Sequence, residues 1–111
     1  MKKTEDYIKE VAREVVLLLL EKNKNYGDTA NNPPNIFSKL NAREGICARI
    51  DDKLSRIKTL GIDKATDLAS SEDTIKDLIG YLILLKVQME KENDKIRDKI
   101  IKKKDEVKFA Q

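Results

Sequence analysis

The 111-residue sequence contains no histidine and no tryptophan, one cysteine, two prolines and four glycines. Each shortage closes off some chemistry. Without histidine there is no Ser-His-Asp triad, no Cys-His pair and no imidazole metal ligand. Cys47, the lone cysteine, has no partner for an internal disulfide. A bound metal would have to be held by oxygen ligands, which favours magnesium, manganese or calcium over zinc. Scarce proline and glycine leave few interruptions to helices. Long apolar runs are also missing. The run from Val15 to Leu20 is too short to span a bilayer. It follows Glu10, Arg13 and Glu14 in helical register, as a buried helix of a soluble protein would. No signal-peptide pattern is present, so the cytoplasm is the expected compartment.

What is abundant is charge, at 39% of residues, beside 40% hydrophobic residues. Lys, Glu, Asp, Leu and Ile in these proportions suit helices with charged outer faces. The net charge of +3 is too small to mark a nucleic-acid binder. Much of the excess falls between Lys91 and Gln111, and its Lys102-Lys103-Lys104 cluster reads as a solvated helix end. Direct nucleic-acid binding and membrane association are therefore not expected.

The periodicity predicts an all-α fold, a small helical bundle with a long C-terminal helix. A first helix is expected over Thr4–Lys24, with Thr4 as N-cap and Glu5 and Asp6 in the first turn. Its apolar residues, Ile8 through Leu20, cover more than one side of the cylinder, so it should pack between neighbours. Residues 25 to 35 carry two turn signals, Asn25-Tyr26-Gly27-Asp28 and Asn31-Asn32-Pro33-Pro34-Asn35. They form the one long loop, a common location for function. A short helical turn is expected over Ile36–Leu40. A second long helix is expected over Arg43–Leu60, with an inner stripe of Ile46, Ile50, Leu54 and Ile57 and Gly61 as C-cap. After a connector over residues 61 to 70, Ser70 or Ser71 should cap the last helix. Its core stripe would be Ile75, Leu78, Ile79, Leu82, Ile83, Leu85 and Met89. A domain over residues 1–90 and a charged helical extension over 91–111 follow. The apolar surface of the first and last helices exceeds what one thin bundle hides, so at least a homodimer is expected.

Three clusters could carry chemistry. Asp77 lies among Ile75, Leu78 and Ile79, with Asp73 one turn before it and Gly80 beside it. Two neighbouring carboxylates resist burial unless a cation compensates. Magnesium would do so, as would a buried bridge to Arg49 or Arg56, and the two readings stand level. On the middle helix Arg49, Asp52, Lys53 and Arg56 fall at spacings of three and four, off the apolar stripe. A solvated charged face explains them, or Asp52 joins a metal site while the cations hold phosphate oxygens. Finally, Glu21 precedes the loop with Asn23, Tyr26 and Gly27, where Tyr26 could stack on a base or anchor the loop.

Three segments resemble motifs of the nucleotide modification associated domain 1 family, found in phages and bacteria. Lys22-Asn23-Lys24-Asn25-Tyr26-Gly27 is similar to a KN-x-x-YG signature. Arg49 to Ile57 is similar to R-x-x-DK-x-x-R, and Glu72 to Tyr81 to EDT-x-x-DL-x-x-Y. The resemblance spans roughly residues 15 to 90, most of the chain. That family looks related in layout to MazG-like helical nucleotide pyrophosphohydrolases, which hold magnesium with carboxylates from neighbouring helices. The resemblance implies Asp52, Asp73, Asp77 and Glu21 as metal ligands. It implies Arg49, Lys53, Arg56, Tyr26 and Asn23 as nucleotide contacts. The carboxylate pattern departs from MazG, since the last helix has Asp-x-x-x-Asp and the first no Glu-x-x-Glu.

The leading expectation is a magnesium-dependent nucleoside triphosphate pyrophosphohydrolase linked to nucleotide or DNA base modification. The alternatives are a non-catalytic nucleotide binder that sequesters a cyclic or other immune-signal nucleotide, and a structural helical interaction module.

Overall fold

The computed structural model describes residues 1–65 and 73–109. Four helices follow in order, α1 (Thr4–Asn25), α2 (Ala42–Leu60), α3 (Ile62–Ala65) and α4 (Thr74–Phe109). Among the described residues there is no strand. The chain is therefore all-α, as its periodicity predicts, and none of the helices is long and apolar enough to cross a membrane.

The helix ends follow local chemistry. At the start of α1 the cap position is Lys3, and Thr4 is the first helical residue. Asp6 reaches back so that its carboxylate accepts from the Lys3 backbone N–H at 2.9 Å. The expected Thr4 cap is thus displaced by an acid placed where the helix dipole favours it. Asn41 caps α2, its side chain accepting from the Glu44 N–H at 2.8 Å while Glu44 accepts from the Asn41 N–H at 3.1 Å. This reciprocal pair satisfies two N–H groups that the helix cannot. Gly61 ends α2 at a φ of +82°, its N–H donating to Ile57 at 2.8 Å. The Ser70 and Ser71 caps lie outside the described residues. Asp73 serves at α4 instead, accepting from the Lys76 N–H at 2.9 Å.

The loop turns where Gly27 and Asp28 take positive φ values of 64° and 60°. Asn31 then ties it to α4, donating to Gln88 at 3.0 Å. No helical turn forms over Ile36–Leu40. Ile36 and Phe37 are exposed there, so that segment has no apolar surface against which a turn could set.

Helix α4 is the spine. α2 lies against it antiparallel, with Arg43 near its first turn reaching Glu92 and Lys53 reaching Asp77. α1 crosses at Gly80, where an added Cβ would stand 3.2 Å from Leu19 Cδ2. The absence of a side chain at Gly80 is what lets the two helices approach. Among the described residues, Val15, Ile46, Ala42 and Ala65 are the buried apolar ones.

Two packing expectations are corrected. The inward face of α2 includes Lys53, whereas Leu54 is half exposed. On α4 the packed side carries Thr74, Asp77, Gly80 and Leu84, while Leu82 and Met89 face outward.

The molecule is extended. Its radius of gyration is 18.9 Å, against about 13 Å for a compact chain of this length. It exposes 9284 Å², against about 6,200 Å² for a compact monomer of its mass. α1 projects its first turns, with Tyr7, Ile8 and Val11 exposed. α4 runs unbroken through Lys91, and its ties to the rest of the chain reach Glu92.

Candidate functional site

A cavity of about 340 Å³ opens where α1, the loop after it, α2 and α4 converge. Leu18, Leu19, Gly80 and Leu84 line it as apolar surface. Tyr26 and Tyr81 add aromatic rings, and Lys22, Arg49, Lys76 and Asp77 add charge. Among the described residues, three cations thus face one carboxylate. The volume falls in the lower part of the range of about 300–1,000 Å³ typical of small-ligand sites.

Each polar group is held in place. Asp77 receives Lys53 at 3.2 Å on one oxygen and Lys22 at 3.8 Å on the other. Lys53 comes from behind, with 11% of its side chain exposed, and Asp77 has 21%. The compensating partners are therefore lysines, not Arg49 or Arg56. Burial of the Lys53 stem holds its ammonium at Asp77, which leaves the half-exposed Lys22 as the cation on the cavity side. Arg49 lies over the Tyr81 ring at 5.8 Å, a cation–π contact that orients both groups at the rim. Lys76 pairs with Glu14 at 3.3 Å, where Glu14 is mostly solvated and its attraction screened.

Of the residues singled out from sequence, Asn23, Tyr26, Arg49 and Asp77 come together on the cavity wall. Lys53 supports Asp77 from outside it. Arg56 pairs with Asp52 at 3.5 Å along α2, as two members of a solvated charged face do. Asp73 spends its carboxylate on the α4 cap. Glu21 is exposed on α1.

Among the described residues no three carboxylates or thiolates group closely enough to hold a metal ion. Asp77, the one carboxylate at the cavity among the described residues, already has a cation at each oxygen. Asp52, Asp73 and Glu21 do not line the cavity that Asp77 lines.

Three lining residues were missed as site candidates: Lys22, Lys76 and Tyr81. Lys22 left a signal, because it shares a helical face with Val11, Val15, Leu18 and Leu19, and a cation on an apolar stripe needs a reason. Tyr81 stands at the end of the third motif. Lys76 left none, since it looks like any lysine beside an acid.

Comparison with family models, with curated proteins and with solved structures finds no match to this chain.

Proposed function

We propose that the chain binds an anionic, ring-bearing small molecule of the nucleotide class in the cavity between α1 and α4, without a metal ion. The observation that carries this reading is the charge of the lining among the described residues: Lys22, Arg49 and Lys76 against Asp77, around apolar walls with two tyrosines. Phosphate oxygens suit the cations, with Arg49 able to give two parallel hydrogen bonds. A base or sugar suits the apolar wall and Tyr26, which is 67% exposed and free to lie over a ring. The resemblance to the nucleotide modification associated domain 1 family points to the same ligand class, and its magnesium-dependent hydrolysis is the reading the lining supports less. A homo-oligomer belongs to the proposal too, since the chain exposes far more surface than a compact monomer.

Calorimetric titration of common nucleoside mono-, di- and triphosphates in EDTA tests it. Binding is expected for at least one of them, with recovery of the unaltered nucleotide after denaturation. Lys22→Met and Arg49→Met should each weaken it about tenfold or more, the worth of one charge-assisted contact of about 1.5–3 kcal/mol. Failure of all the nucleotides to bind, or pyrophosphate release with magnesium, would overturn the metal-free binding reading.

A further inference from the structure

From Leu78 onward α4 carries an apolar pattern that outlasts its contacts with the rest of the chain. Leu78, Met89 and Ile100 follow one another at intervals of eleven residues, and so do Leu85, Ile96 and Val107. Eleven residues are close to three full turns, so these side chains keep to one side of a nearly straight helix. At its start that side helps to pack the bundle, where Leu78 and Leu85 are half-buried. Farther on it is bare: Met89 is 37% exposed, Ile96 56%, Ile100 50% and Val107 58%. A shallow groove of about 350 Å³ runs there, lined by Ile96 and Ile100 with Lys99, Lys102, Lys103 and Glu106.

The bare stripe is symmetric under reversal. Met89 and Val107 lie equally far on either side of residue 98, and so do Ile96 and Ile100. A two-fold axis through that point maps the stripe onto itself, as an isologous contact between identical chains requires. Charge agrees. Reversal brings Lys102 and Lys104 of one chain to the height of Asp94 and Glu92 of the other, and Lys91 to that of Asp105, with Lys103 opposite Asn93 and Glu90 opposite Glu106. A parallel pairing would instead stack the lysine clusters together. Arg97, close to the axis, carries its own carboxylate in Asp94 at 3.2 Å.

We infer that two copies of this chain pair antiparallel through the outer half of α4, about residues 89 to 107, with the two-fold axis near residue 98. The area suits it. The chain exposes 9284 Å², about 3,000 Å² more than a compact monomer of its mass. A stable dimer needs about 600–1,000 Å² of that from each chain. Pairing leaves the two α1/α4 cavities at opposite ends, about 50 Å apart at 1.5 Å per residue. Neither cavity is completed by the partner, so the pairing stands apart from the ligand reading.

The test uses the full chain. Sedimentation equilibrium at tens of micromolar should give about twice the chain mass of 12.7 kDa. Ile100→Lys should return the mass to one chain with helical circular dichroism retained. Ile101→Lys, off the stripe and 58% exposed, should leave the dimer. For orientation, a Met89→Cys chain and a Val107→Cys chain, both with Cys47→Ser, are mixed and oxidised. The mixed disulfide should dominate over either like pair. A monomeric wild-type chain, a dimer that survives Ile100→Lys, or like-with-like disulfides in preference to the mixed one would overturn the proposal.

Discussion

Removing the charge of Lys53 tests how the spine is held together. Lys53 Nζ stands 3.2 Å from Asp77, and the two side chains are 11% and 21% exposed. At that distance Coulomb attraction is about 5 kcal/mol for an effective dielectric constant of about 20. Desolvation of both groups takes back most of it. Truncating one member of a fully buried pair costs about 3–5 kcal/mol, and an exposed pair is worth about 0.2–1 kcal/mol. This pair lies between those limits. Lys53→Met keeps the buried stem volume and leaves Asp77 with Lys22, so it should cost about 1 kcal/mol. Asp77→Leu leaves Lys53 without a counterion in a site with little water, so it should cost about 2 kcal/mol. The double variant removes both charges together and should again cost about 1 kcal/mol, a coupling of about 2 kcal/mol. Urea unfolding followed by circular dichroism, at one protein concentration, gives the three values. Additive costs, or a double variant worse than Asp77→Leu, would refute the reasoning.

Two further outcomes follow from the helix ends and ties. Arg43, foremost by its hydrogen bond, and then Gln88 hold the Glu92 carboxyl below its ordinary value of 4.5. A depressed carboxyl contributes stability that is present above its unfolded value and is lost as pH falls through the native one. The urea midpoint should therefore drop as pH falls below about 4.5, and Glu92→Gln should flatten that drop. Glu90 behaves alike through its hydrogen bond from Lys86. Asn41→Ala removes the acceptor for the Glu44 N–H and should cost about 1 kcal/mol in the same urea assay.

The helices themselves were legible because their signals are local. Apolar spacing and Gly61 mark α2 without reference to anything distant, while the Asn41/Glu44 box that fixes its start emerges only in the structure. What the pattern could not settle was which part of each broad apolar face meets a neighbour. Ile8 and Val15 share a face of α1, yet Val15 is buried and Ile8 is 64% exposed, because α4 reaches only one of them. Lys53 shows the same limit. Among charged neighbours it looks solvated, and only the approach of Asp77 from another helix draws it inward. The candidate site was legible where a residue was out of character, such as Asp77 inside an apolar run or Tyr26 in the loop. It is less legible where a carboxylate has a local use, as Asp73 has at the α4 cap and Asp52 has beside Arg56.

Asp77 therefore distinguishes a metal-free anion site from a metal site. If the cavity takes an anion through its cations, Asp77 is the one opposing charge among the described residues that line it. Neutralising it at about 6 Å from a phosphate, in partly solvated surroundings, is worth about 0.7–1.4 kcal/mol. Titration of Asp77→Asn with the nucleotide that the wild-type chain binds, in EDTA, should show affinity about three- to tenfold tighter. Loss of binding in Asp77→Asn, together with binding by the wild-type chain only when magnesium is present, would contradict a metal-free anion site.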